Sequence, residues 1–379
     1  MKYIPLSKPS VGNAELKAVS DVLKSGWWTT GPKVKEFESS FSDYLGNNTQ
    51  CVALNSCTSG LFLALKALGI GKGDEVIVPT WTFVATAHVV LWTGAKVVLC
   101  DVDPLTLNID PEKVEKLITK KTKAIIPVHF AGLACDMDAL LKIGKRYSVA
   151  IIEDAAHAAG ARYHGKKIGS FGDIAVFSFY VTKNLACGEG GMLTARNSRL
   201  IEQIRRLSYF GINKEAFKRY AKSGSWFYDV EGLGFKCNMD DIHASLGITQ
   251  LKKLDSFNAR RRLLVERYKK QLHPMLRFQK TCAGHSFHLF VVSLPALNIS
   301  YADVMRYLRS KGVGANLHFV PLHEFSFYKK MVPNHNLHCA DSLYERVLSL
   351  PLYPLMTDRD VASVSKVVND LVKKHLKSK

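Results

Sequence analysis

Residues 178–191 read SFYVTKNLACGEGG, and one lysine, Lys183, stands there between an apolar aromatic run and a glycine-rich turn whose single acid is Glu189. Desolvation lowers the pKa of an ammonium, so a lysine in such surroundings suits an amine nucleophile toward a carbonyl better than a solvated surface charge. A second segment, AIIEDAAHAAG, ends an apolar run with Glu153 and Asp154. Taken alone, an acid after an apolar strand is an ordinary solvated edge. A third, LNSCTSGLFLALKAL, passes from a short strand through small and hydroxyl residues into a helix. The amides near Thr58, Ser59 and Gly60 then open a helix N-terminus that can hold an anion, although Ser and Thr are equally common as plain caps.

Taken together these pieces describe one kind of site. An amine that forms an imine, a carboxylate that keeps a pyridine nitrogen protonated, and a phosphate cup built from a helix N-terminus and Ser178 are the anchors that pyridoxal phosphate needs. Phe83, in PTWTFVATA, is available to lie against the ring face, the competing reading being plain helix core.

Such groups must be held at strand ends, and the chain provides the strands. From about residue 50 the runs DEVIVP, AKVVLCDV, TKAIIPV, VAIIED, IAVFSF and GGMLTA are apolar on both faces, as strands inside a parallel sheet are. Between them TSGLFLALKAL, PEKVEKLI and MDALLKIGKRY have helical spacing. This alternation predicts a doubly wound α/β sheet with ligands at the carboxyl ends of its strands. After residue 250 the pattern changes to one long charged helix, QLKKLDSFNARRRLLVERYKKQL, then a strand HLFVVSL, a helix YADVMRYLRSKG, a strand GANLHFV and a C-terminal helix. Two domains are expected: a large one over residues 1–250 and a smaller α+β one over residues 251–379.

Other chemistries find less support. GIGKGD has the wrong spacing for a dinucleotide loop and follows a helix, so it reads as a turn, and the chain has no GxxxxGK[ST]. The eight cysteines form no CxxC pair and read as reduced cytosolic thiols. His318, His323, His335 and His338 lack a metal-ligand spacing and read as polar loop and pocket residues. The formal charge of +19, from 52 Lys and Arg against 33 Asp and Glu, is spread over helix faces and the tail rather than gathered into a nucleic-acid site. It does favour phosphate-bearing substrates. The apolar stretches carry neither a signal peptide nor a membrane span, so a cytoplasmic location is expected.

The blocks SGWWTTGPKVKEFE, IGKGDEVIVPTWTFVATA, TKAIIPVHFAG, IIEDAAHAAGA, FSFYVTKNLACGEGG, MDDIHASLGITQL and SLPLYPLMTD resemble the DegT/DnrJ/EryC1/StrS nucleotide-sugar aminotransferases almost end to end. The resemblance implies pyridoxal phosphate as cofactor and fold type I, a large doubly wound mixed sheet followed by a smaller α+β domain. By it, Lys183 is the Schiff-base lysine and Asp154 the partner of the pyridine nitrogen. Thr58, Ser59 and Ser178 hold the phosphate, Phe83 stacks on the ring, and His157 stands near the ring hydroxyl where many members have glutamine. Asn238, in GFKCNMDDIHA, reaches the phosphate of a partner subunit, which makes the protein a homodimer with shared sites. L-Glutamate is the implied amino donor and a UDP- or dTDP-4-keto sugar the acceptor, with no nucleic-acid partner and no stable membrane insertion. SGWWTTGPK, EDAAHAAG, TKNLACGEGG and LHF most resemble members acting on UDP-4-keto-pentose in UDP-4-amino-4-deoxy-L-arabinose synthesis, while VPLHEFSFYKK is the more general family form. A 4-keto-6-deoxyhexose is the alternative sugar. Arg219 and Lys236 are candidates for the nucleotide diphosphate, with surface charge as the competing reading. Related sugar dehydratases carry a histidine where Lys183 stands, which argues against that class. The remoter alternative is a non-catalytic basic binding or regulatory protein of the same fold.

Overall fold

The computed structural model describes residues 3–213, 227–332 and 336–376, so Arg219 and His335 lie outside the described residues. In chain order the strands are β1 (Gln50–Leu54), β2 (Glu75–Pro79), β3 (Lys96–Cys100), β4 (Thr122–Ile125), β5 (Ala150–Asp154), a small hairpin of β6 (Arg162–Tyr163) and β7 (Lys166–Lys167), then β8 (Ile174–Ser178) and β9 (Gly191–Ala195). All but the hairpin form one seven-stranded sheet in the order β1-β9-β8-β5-β4-β2-β3. The pairs from β3 to β8 are parallel, whereas β9 runs antiparallel to both β1 and β8. GGMLTA therefore departs from the parallel expectation. Its apolar residues report burial on both faces, which does not depend on strand direction.

Side chains alternate across the sheet. One face packs Phe37 and Phe41 of helix Pro32–Leu45 against Ile151, Phe177 and Phe179, with Phe41 and Phe177 ring centroids 5.0 Å apart and edge to face. Each fully buried Phe stabilises the fold by about 2–3 kcal/mol. The other face packs helices Cys57–Ala67, Ala85–Trp92 and Ser198–Leu207 against Ile152, Ile174 and Val176. The helix Cys57–Ala67 lies especially close to the sheet, because Gly60 has no side chain: a Cβ there would stand 2.4 Å from Val176 Cγ1.

Beyond the large sheet, β10 (Arg277–Phe278), β11 (Phe290–Ser293) and β12 (Val347–Leu350) form a three-stranded antiparallel sheet. Helices Leu254–Gln271 and Asp358–His375 cover it through Leu264, Tyr268, Val364, Val368 and Leu371. Ile4 joins this cluster from the start of the chain, its amide donating to Gly312 O at 2.8 Å. An apolar seam of Trp81, Phe130, Leu289, Val291 and Val347 connects the two sheets. Among the described residues no helix is long and apolar enough to cross a membrane. All eight cysteines are unpaired.

Two expected elements differ. The long charged helix stops at Leu251 and restarts at Leu254. At the break Gln250 Nε2 and Lys253 Nζ both donate to the buried Glu15 Oε1, at 2.8 and 2.6 Å, and this shared acceptor fixes a turn where periodicity alone predicts continuity. GANLHFV is not a strand; it makes only isolated bridges, such as Asn316 to Ser349. Backbone pairing is confined to Gly314 with Ile4 and Asn316 with Ser349, and beyond them side chains take over, with Trp81 Nε1 donating to His318 O at 2.9 Å and His318 Nδ1 lying 3.0 Å from Ser349 Oγ.

Candidate active site

The strands β5 and β8 pair with Asp154 opposite Val176, so Asp154 and Ser178 fall on the same face of the sheet. Asp154 is buried. Its Oδ2 accepts from Thr86 Oγ1 at 2.9 Å and its Oδ1 from the Ala156 amide at 3.1 Å. Burial pushes this carboxyl above its usual range, and the Ala156 amide, Thr86 and the charge of Lys183 offset that only in part. Cys57 Sγ lies 4.0 Å from Asp154 Oδ1, and burial followed by the Asp154 charge holds the thiol protonated.

Lys183 lies on the connection between β8 and β9, where the Lys183 amide donates to Tyr180 O at 2.8 Å and closes a turn. Burial lowers its ammonium to about 8, against opposing contributions from Cys57 and Asp154. The ammonium makes no hydrogen bond or ion pair among the described residues. A desolvated but still reachable amine without a partner suits one that is to be joined to something else.

The helix Cys57–Ala67 starts beside this turn. Its cap is Ser56, a residue the sequence reading passed over: Ser56 Oγ accepts from the Ser59 amide at 3.0 Å. Ser59 Oγ donates to Asn55 Oδ1 at 2.7 Å, while the amides of Cys57 and Thr58 belong to the first turn and have no intrahelical acceptor. Ser56 and the β8–β9 turn touch, since a Cβ on Gly191 would stand 2.5 Å from Ser56 C.

Phe83 precedes helix Ala85–Trp92 and is 58% exposed, so it is not helix core. Its ring centroid is 5.8 Å from that of Phe319, which in turn stacks at 5.8 Å on His157. His157 is buried and held neutral, first by burial and then by the charges of Lys183 and His318. Asn238 lies at the edge of β1, bridged to Leu54, with its Nδ2 donating to Thr30 Oγ1 at 2.5 Å and Lys236 Nζ donating to its Oδ1 at 2.5 Å. Lys236 also sits 4.7 Å from the centre of the Tyr209 ring. Glu189 is exposed on the glycine turn.

Four more residues lie near Lys183: Thr86 and His288, which the sequence reading passed over, and His318 and Phe319, which it met only as a polar pocket residue and as part of LHF. Burial and then the charge of Lys183 lower His318 to about 4. The motifs HLF and LHF contain the last three, yet their neighbours are all remote in the chain. His323 is buried away from Lys183 in a bond with Asp341 Oδ1 at 2.7 Å, and its Nδ1 lies 2.6 Å from Thr80 Oγ1.

A family model for the DegT/DnrJ/EryC1/StrS aminotransferases matches residues 9–369. The chain belongs to that family. It is a pyridoxal-phosphate-dependent sugar aminotransferase of fold type I. Among curated relatives, the spore coat polysaccharide biosynthesis protein SpsC of Bacillus subtilis is 44% identical over 98% of this chain and 97% of that one. Among solved structures, Spr1654 of Streptococcus pneumoniae in its PLP form superposes with a TM-score of 0.89 at 33% identity, covering 98% of this chain and 99% of that one. PseC of Helicobacter pylori, an aminotransferase involved in the biosynthesis of pseudoaminic acid, gives a TM-score of 0.90 at 27% identity, with 98% and 100% covered. The aminotransferase's own residues fit the cofactor: an unpartnered, desolvated and still reachable amine, a buried carboxyl with few donors, an open helix start beside Ser178, and an exposed aromatic ring.

Proposed function

We propose that this aminotransferase carries the amino group of L-glutamate to C4 of a nucleotide-linked 4-keto sugar, with UDP-4-keto-pentose as the first acceptor to try. The observation that carries the reading is Lys183: partly buried, lowered to about 8 by desolvation, without an ion pair among the described residues, and across the strand ends from a carboxyl that burial keeps poorly satisfied. Pyridoxal phosphate, when bound, supplies a carbonyl carbon for amino groups and a ring that accepts the electron pair released at the substrate carbon. Lys183 Nζ would hold it and would serve as the acid and base for the proton at the substrate carbon. Asp154 holds the pyridine nitrogen protonated. The amides of Thr58 and Ser59 with the Ser178 hydroxyl take the phosphate, Phe83 covers the ring, and His157 donates to the ring oxygen. Asn238 from a second copy of the chain completes the phosphate cup. Lys236, exposed beside Asn238, is placed to meet a nucleotide diphosphate. A nucleotide sugar as substrate favours a cytoplasmic location.

The identity with a spore coat polysaccharide protein favours a second reading of the sugar, a UDP- or dTDP-4-keto-6-deoxyhexose destined for a surface polysaccharide. The test begins with the visible spectrum. L-Glutamate should bleach the cofactor band and release 2-oxoglutarate, and a panel of UDP- and dTDP-4-keto sugars should restore it selectively. A Lys183→Ala protein that kept glutamate-dependent amination would overturn the mechanism, and a panel with no acceptor would overturn the substrate class.

A further inference from the structure

His288 precedes β11 and is buried, as is His157, and the two ring centroids lie 4.3 Å apart. Gly132 permits this approach. At its φ of 95° a Cβ would stand 2.3 Å from Ser286 Oγ and 3.1 Å from both His157 O and the His288 amide nitrogen.

Hydrogen bonds decide which nitrogen of each ring carries the proton. Asn184 Nδ2 donates to Asn258 Oδ1 at 2.7 Å and to Ser286 O at 2.9 Å, which orients its Oδ1 as an acceptor. His288 Nδ1, 3.1 Å from that oxygen, must therefore donate, and its Nε2 keeps a lone pair. His157 Nδ1 accepts from the Ala131 amide at 3.3 Å, so its Nε2 keeps the proton. Burial, reinforced by the charge of Lys183, holds both rings neutral. Neither Nε2 has a hydrogen-bond partner among the described residues.

Neither nitrogen is among the fully buried unpartnered side-chain atoms, so both face space that a ligand can enter, and a ligand that satisfies both brings an acceptor to His157 and a donor to His288. The ring oxygen of pyridoxal phosphate is an acceptor and suits His157. It offers nothing to a lone pair. We propose that His288 is a specificity-determining residue of the sugar half-reaction, its Nε2 accepting a hydrogen bond from the substrate hydroxyl next to the carbonyl that becomes the amine. The proposal rests on the reading of the acceptor as a nucleotide-linked keto sugar. Asn184 is the positioning residue behind it: it fixes the tautomer of His288 and is the chain neighbour of Lys183, so acceptor and amine share one support.

L-Glutamate has no hydroxyl, and this separates the two halves of the reaction. Holoenzyme carrying His288→Leu or His288→Gln would be compared with the unaltered protein in two assays. The first is bleaching of the visible band by L-glutamate. The second is amination of UDP-4-keto-pentose, or of the panel sugar accepted in its place, and of the same sugar lacking the neighbouring hydroxyl. The unaltered enzyme should prefer the hydroxylated sugar by about 100-fold in kcat/KM, the size of loss when one acceptor is left unpaired. His288→Leu should reduce that preference to within about threefold, chiefly by raising KM for the hydroxylated sugar, and should slow the glutamate assay far less. His288→Gln, whose side-chain carbonyl can stand in for Nε2, should recover part of the preference, and it serves as the reading if the leucine variant fails to fold. A preference that survives either variant intact, or a glutamate assay that falls as far as the sugar assay, overturns the role. If glutamate bleaches normally and no keto sugar is aminated even by the unaltered protein, the substrate reading fails first and takes this role with it.

Discussion

At the end of β5 two neighbouring acids point to opposite faces of one sheet. Glu153 accepts from His129 Nε2 at 3.0 Å and from the amides of Gly172, Phe171 and Gly169 at 2.8, 3.1 and 3.3 Å. Asp154 accepts from one hydroxyl, one amide and, weakly at 4.0 Å, the Cys57 thiol. Both are buried, and burial alone pushes both carboxyls up. For Glu153 the His129 bond and the amides outweigh it and hold the group below its usual range, whereas Asp154 remains above. The difference teaches that burial does not mark a functional acid; unfilled acceptor capacity does. Glu153 is saturated by its own chain, and Asp154 has room for another donor.

The largest effect that would break the contrast is expected from Asp154→Asn. Amination should fall roughly 10³-fold, the size of loss seen when a group stabilising developing charge is removed. The same change should make the cofactor-free protein more stable at pH 7, by about 1 kcal/mol, since it removes a desolvated charge. The sign follows from linkage. A carboxyl raised in the folded state penalises folding when ionised, so the gain is full at neutral pH and shrinks as pH falls toward about 4, where the unfolded group is protonated. Melting curves of both cofactor-free proteins across that range would check it, and an asparagine variant less stable at pH 7 would erase the distinction.

Glu153→Gln should do the reverse. Activity per folded molecule should hold near that of the unaltered protein, while stability falls by about 3 kcal/mol because a buried, hydrogen-bonded pair is broken. Glu153 is depressed in the folded state, so its contribution is present above about pH 4.3 and is lost as pH falls through the folded value. Denaturant unfolding at pH 7 and pH 4 should show the variant and the unaltered protein converging on the acid side. The mildest change, Thr86→Val, removes the hydroxyl donor to Asp154 Oδ2. It should raise that carboxyl further and lower kcat by about tenfold, the worth of one hydrogen bond to a charged group. Equal kcat values would mean that the Ala156 amide alone suffices.

Much of this was legible beforehand, for definable reasons. Buried strands announce themselves as apolar runs, and fold rules put ligands at their ends, so Lys183, Asp154 and Ser178 could be selected together. The direction of β9 could not be selected, because side-chain composition is the same for either direction. Nor could Glu153 be told from Asp154 in the segment itself: the choice depends on which face carries Ser178, and that is set by the register of β5 with β8. His288 was illegible because its partner Asn184 is 104 residues away in sequence. The break at Lys252 and Lys253 was hidden likewise, since Glu15, which draws Gln250 and Lys253 together, comes from the start of the chain.

The antiparallel course of β9 also bears on the order in which the chain assembles as it is made. Lys183 rides on residues 179–190, a connection of twelve residues that closes where Ser178 meets Gly191. Such local pairing needs little loop closure and no crossover, so the lysine strap is complete once about residue 195 has left the ribosome. Asn258, which anchors Asn184 beside it, is synthesised more than sixty residues later. During translation the amine is thus placed first and locked second.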